Sequence, residues 1–108
     1  MHSINNEFLR LKELASQNRL LFSKHFSVVR KNERRITNDE VKWAIVSGLI
    51  FEEGNGYKAV YKFAGRYLSA VFHVTPSGEY LFVRTAYVPD AGSWDADSYK
   101  NWIRQMKN

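Results

Sequence analysis

The sequence predicts an α+β fold, with helices first, then four strands and a short last helix. Three observations carry that expectation. Apolar residues recur at helical spacing as far as Gly48. From Leu49 to Val88 the pattern changes to β-type segments separated by turn residues. One face of the last predicted hairpin is mostly apolar, which assigns it to packing against helices. Runs of helix followed by runs of strand belong to the α+β class rather than to alternating α/β folds.

Phe8, Leu11, Leu14 and Ala15 mark the first helix, with Asn5 as N-cap and Glu7 in the first turn. It ends near Gln17-Asn18. Leu20-Leu21-Phe22 reads either as a short strand or as more helix. Ser23 is a good N-cap for a second helix to about Asn32, with Phe26 and Val29 inward. Thr37-Asn38-Asp39-Glu40 is a capping box, in which the threonine and the glutamate three residues on satisfy each other's backbone amides. Val41, Ala44 and Ile45 form the inward stripe of that third helix, and Gly48 ends it.

The predicted strands are Leu49 to Glu53, Tyr57 to Phe63, Arg66 to Val74 and Glu79 to Val88. Gly54-Asn55-Gly56, Ala64-Gly65 and Thr75-Pro76-Ser77-Gly78 are the turns between them. A four-residue last loop sets Val74 against Glu79, Phe72 against Leu81, Ala70 against Val83 and Leu68 against Thr85. Tyr67, Ser69, Val71 and His73 then share the other face with Tyr80, Phe82, Arg84 and Ala86. A one-residue slip would exchange the faces of a strand. Asp95 or Asp97 caps the last helix, which presents Tyr99, Trp102, Ile103 and Met106 on one side.

A chain of 108 residues is enough for a single domain spanning 1–108. Its 44% hydrophobic content supports a core, unlike a disordered chain. The net charge of +5 is uneven. Residues 19 to 35 hold Arg19, Lys24, Arg30, Lys31, Arg34 and Arg35 against one acid, Glu33. Such a patch favours a polyanionic partner. The absence of cysteine excludes disulfides, thiolate metal sites and a cysteine nucleophile. His2, His25 and His73 are dispersed, so no metal or other cofactor is expected. There is no phosphate-binding glycine loop, no His-Glu-x-x-His and no carboxylate cluster. The first residues lack a secretion signal and no apolar run would span a membrane, so a soluble cytoplasmic protein is expected.

Ser23-Lys24-His25, Arg30, Arg34-Arg35-Ile36-Thr37, Glu40-Val41, Ala44-Ile45, Gly48-Leu49-Ile50 and Arg84-Thr85-Ala86-Tyr87 follow one another in a familiar order. In that order and spacing the chain resembles a small bacterial domain-of-unknown-function family within the barnase–EndoU–colicin–RelE (BECR) superfamily. The resemblance covers about residues 20–88, with 1–19 and 95–108 as flanking helices. It implies two or three N-terminal helices on one face of a twisted four-stranded antiparallel sheet. It also implies a metal-independent ribonuclease, plausibly a toxin with a neutralising antitoxin or immunity protein as partner. Arg30 stands five residues after His25, where the family pattern has an arginine at four.

Metal-free RNA cleavage needs a base for the 2′-hydroxyl, cations for the phosphorane and an acid for the leaving oxygen. Histidine is the side chain suited to proton transfer near neutral pH, and arginine clamps phosphate oxygens. His25 is therefore the candidate for proton transfer, Arg34, Arg35 and Arg84 for phosphate binding, and Thr85 with Tyr87 for completing the site. Lys24, Arg30 and Lys31 would bind RNA, and Tyr67, Tyr80 and Phe82 would stack on unpaired bases. Structural readings stand beside these: a solvated basic face, tyrosines covered by the C-terminal helix, and Thr85 and Tyr87 in the packed face. His73, beside a turn, has the weaker claim. Trp43, next to Lys42, is a possible contact for a partner protein. The alternative function is a non-catalytic RNA- or protein-binding module on the same fold, which the shifted Arg30 favours.

Overall fold

In the computed structural model, which describes residues 6–29 and 36–107 apart from the side chains of 28 and 29, the first apolar stripe becomes α1 (Asn6–Ser16), burying Leu11, Leu14 and Ala15. The chain reverses at Asn18, whose φ is 60°, a left-handed conformation that asparagine tolerates. Leu20–Phe22 is a strand, β1. Ser23 caps α2 (Lys24–Val29), its Oγ accepting from the Phe26 amide at 3.0 Å. The expected Asn5 cap and the stretch Arg30 to Arg35, with Lys31 and Arg34, lie outside the described residues.

The capping box of α3 (Asn38–Ser47) forms as expected. The Glu40 amide donates to Thr37 Oγ1 at 3.1 Å, and the Thr37 amide donates to Glu40 Oε1 at 2.9 Å. Val41, Ala44 and Ile45 are buried. Gly48 ends the helix with extended rather than left-handed backbone. It is required there by close approach, since a Cβ would lie within 2.5 Å of the Val60 carbonyl oxygen. Lys12 reaches across from α1 and donates to the carbonyls of Ile45, Val46 and Gly48 at 2.8–3.1 Å. It thereby satisfies the orphan acceptors at the C-terminus of α3.

The strands β2 (Leu49–Glu53), β3 (Gly56–Phe63), β4 (Arg66–Val74) and β5 (Leu81–Tyr87) follow. The sheet has five strands rather than four and is mixed, in the order β1-β5-β4-β3-β2. β1 pairs in parallel with β5, Leu20 against Leu81 and Phe22 against Val83. That pairing joins segments sixty residues apart, which local patterning does not reveal.

The register of the last hairpin also corrects the expectation. Val74 faces Leu81, not Glu79, and Phe72 faces Val83. The connection is longer than four residues: Gly78 turns with φ 77°, and the Thr75 amide donates to the Tyr80 carbonyl at 2.9 Å. A bulge then intervenes, because Val71 pairs with Thr85 and Phe72 with Val83, leaving Arg84 as the extra residue. An extra residue exchanges the faces of everything beyond it. Ala86, expected on the far face, is fully buried in the core beneath the helices. Thr85 and Tyr87, expected on the packed face, lie on the far one.

The main core joins α1, α2 and α3 to one face of the sheet through Leu11, Leu14, Phe26, Ile45, Leu68, Phe72 and Val83, among others. The far face is covered by α4 (Trp94–Met106), whose Ala96 and Tyr99 pack on Val60 and Tyr67. The architecture is thus three layers: helices, sheet, helix. The cap of α4 is Ser93, which accepts from the Ala96 amide at 3.2 Å, in place of Asp95 or Asp97. Met106 is exposed and is not part of the buried stripe. No helix among the described residues is long and apolar enough to cross a membrane.

Candidate functional site

Two places on the sheet carry chemistry, and the bulge separates them. The first surrounds Arg84. Ser23 ties the start of α2 to this point: its amide donates to the Val83 carbonyl at 2.9 Å, and its Oγ donates to the Arg84 carbonyl at 2.7 Å. Lys24 and His25 follow directly and are exposed, while Phe26 turns inward and stacks on Phe22. The Arg84 side chain lines an open cavity of about 400 Å³ with Asn55, Tyr57, His73 and Val74. His25 is not among the lining residues. His73, the histidine with the weaker claim from sequence, is. Its ring lies 5.2 Å from that of Phe82 across the β4–β5 pair. Arg84 answers no carboxylate among the described residues.

The second place lies under the N-terminus of α4. Asp95 is buried and accepts from Ser69 Oγ at 2.7 Å and from the Tyr87 hydroxyl at 2.8 Å. Lys58 Nζ stands 3.4 Å from both carboxylate oxygens of Asp95 and 3.0 Å from Glu53. Burial works against the Lys58 ammonium, but hydrogen bonding to Tyr87 and Glu53 and the charge of Asp95 outweigh it and push its pKa up. Burial and the neighbouring Asp95 also push the Tyr87 hydroxyl up, with Lys58 opposing. Tyr87 is therefore a protonated donor already committed to Asp95. Every polar group of the cluster has a partner, as a buried network requires.

The candidate residues thus divide. Arg84 shares its cavity with His73, while Lys24 and His25 open the helix that Ser23 ties to the Arg84 carbonyl. Tyr87 belongs to the network under α4, and Thr85, half-buried, lies beside Val71 on the same face. Tyr67 is covered by α4, its ring 6.0 Å from that of Tyr99. Tyr80 remains exposed with the Arg19 guanidinium 5.6 Å from its ring centre, and Phe82 is half-buried. The three aromatics do not form one platform. Arg30, Lys31, Arg34 and Arg35 fall outside the described residues.

Sequence reasoning passed over Lys58, Ser69 and Asp95. A signal was present for one of them. Lys58 interrupts the predicted strand Tyr57-Lys58-Ala59-Val60, whose neighbours on both sides are apolar or aromatic, and a lysine in such a setting is rarely buried unless paired. Nothing local connects it to Asp95, thirty-seven residues on. Compared with family models, curated proteins and solved structures, the chain finds no match in any of the three.

Proposed function

We propose that this domain is a metal-independent endoribonuclease whose reacting phosphate sits at Arg84. One observation carries the reading: the β5 bulge presents an exposed arginine, without a carboxylate partner among the described residues, that lines one cavity with His73. His25 is two residues from Ser23, whose hydroxyl is bonded to the Arg84 carbonyl. Two imidazoles supply the base that takes the 2′-hydroxyl proton and the acid that protonates the 5′-oxygen. Arg84 stabilises the charge on the phosphorane, with Lys24 beside it. The attack closes a 2′,3′-cyclic phosphate, and the 5′-oxygen leaves with its proton. Bulges that re-aim a side chain are frequent beside active sites. In a toxin, a neutralising partner protein would cover this surface.

A second reading, a non-catalytic RNA-binding module, is favoured by a different observation. The Tyr87 hydroxyl is held by Asp95, so it is committed elsewhere than in the site it was expected to complete. Incubating the protein with mixed cellular RNA in EDTA separates the two. Cleavage leaving 2′,3′-cyclic ends, reduced about 10²-fold or more by His25→Ala or His73→Ala and by Arg84→Ala, supports the nuclease. No cleavage, with salt-dependent RNA binding that Lys24→Ala and Arg84→Ala weaken, supports the binding module.

A further inference from the structure

Several cations among the described residues are answered. Lys12 is bonded to three carbonyls, Lys58 to Asp95 and Glu53, Arg66 to Glu40 at 2.6 Å, and Arg10 stands 3.8 Å from Glu13. The C-terminal end of α4, remote from Asp95, differs. There Lys62 of β3, Lys100 and Arg104 of α4 and Lys107 just after it line a cavity of about 330 Å³, floored by Tyr67 and walled by Tyr99 and Ile103. No acidic residue among the described ones lines it. Lys62 and Lys107 have no carboxylate partner among the described residues. Arg104 donates to Asn101 at 3.2 Å and has no carboxylate partner among the described residues. Lys100 has a loose contact with Asp97 at 3.9 Å and a bond to the Ala91 carbonyl.

Arg104 and Lys107 near the end of a helix are explained by the helix dipole alone. Lys62 is not: it comes from a strand, and its ammonium lies over one side of the floor, 5.5 Å from the Tyr67 ring centre, with Lys100 at 5.8 Å. Four like charges converging from two elements repel one another unless an anion answers them. The cavity is shallow and open, and its walls offer an apolar surface beside the charge.

We propose that this cavity is a phosphate-ester site distinct from Arg84. It would take a nucleotide, free or within an RNA strand, the phosphate among the four cations and the apolar part against Tyr99 and Ile103. The site does not rest on the ribonuclease reading, since binding here involves no cleavage. The test is an NMR titration of the isotope-labelled chain with uridine 5′-monophosphate, and separately with a 2′-O-methylated RNA octamer that cannot be cut. Saturable shifts at the amides of Lys62, Tyr99, Ile103 and Lys107 are expected. Saturation by the mononucleotide identifies a free nucleotide as ligand, and saturation by the octamer alone identifies a strand. Lys62→Ala and Lys107→Ala should each weaken binding about twofold to fivefold. For the octamer, each should also lower the salt slope by about one. Both residues are outside the Arg84 cavity, so any cleavage there should persist in the variants. Shifts confined to His73 and Arg84, or affinity unchanged in Lys62→Ala/Lys107→Ala, would overturn the proposal.

Discussion

The two faces of the sheet are held by different physics. On one, three helices meet the strands through an apolar core in which Phe72, Leu68 and Val83 are almost wholly hidden from water. On the other, a single helix is fastened at its first turn by a polar cluster, Lys58–Asp95–Ser69–Tyr87, and further along by stacked aromatics. An apolar contact degrades in proportion to the atoms removed from it. A buried ionic cluster is intolerant of losing one member, although the pair itself adds little over a well-packed apolar substitute. The contrast explains how a small domain keeps a helix over one end of its far face while the Arg84 end stays open.

The largest expected effect is on the apolar side. Phe72 is fully buried and its ring is stacked 5.7 Å from Tyr57. Phe72→Ala should cost about 3–5 kcal/mol, read as a shift in the denaturation midpoint at unchanged slope. A loss below about 1 kcal/mol would mean that this face is loosely packed.

On the polar side, Asp95→Ala removes the acceptor of both Ser69 and Tyr87 and leaves Lys58 with Glu53 alone, which is itself half-exposed. The expected cost is about 3 kcal/mol, as for breaking one partner of a buried pair. Asp95→Asn combined with Lys58→Met keeps an acceptor for the two hydroxyls and removes both charges. That double variant should recover most of the loss, to within about 1 kcal/mol of the wild type. A double variant that stays as destabilised as Asp95→Ala would contradict this account and make the ion pair itself a source of stability.

The same contrast decides what could be read from the chain. The capping box at Thr37 and Glu40 is legible because its partners are three residues apart, and Val41, Ala44 and Ile45 follow at fixed helical spacing. The bounds of β2 and β4 agree with the expectation because Gly54-Asn55-Gly56 and Ala64-Gly65 punctuate them. The last hairpin misleads for a physical reason: a longer loop and a bulge at Arg84 both change the pairing, and neither has a local signature in Leu81-Phe82-Val83-Arg84. That error carried Thr85, Tyr87 and Ala86 to the wrong faces. The parallel partner of β1 and the Lys58–Asp95 contact are long-range facts, fixed only when the sheet assembles. Of the candidate residues, Arg84 falls at the bulge, where it lines a cavity with His73 rather than with His25.

The smallest effect compares two lysines, one on each side of the sheet. Lys58 meets carboxylates and its pKa rises. Lys12 meets only neutral carbonyls, and burial pulls its pKa from 10.5 down to about 8. The folded state then releases this proton near pH 8 and the unfolded state near 10.5, so between those values the unfolded chain binds more protons. Stability should therefore rise with pH across that window. Below it the full cost of burying the ammonium is present. Tyr87 and Tyr99, whose hydroxyls burial pushes above their usual 10.0, act in the opposite sense once unfolded tyrosines begin to ionise. The difference between wild type and Lys12→Met cancels that common background. It should grow in favour of the wild type from pH 8 to about 10.5 and be flat between pH 6 and 7. A flat difference throughout would mean that the carbonyls of Ile45, Val46 and Gly48, at the negative end of α3, hold the ammonium charged against its burial.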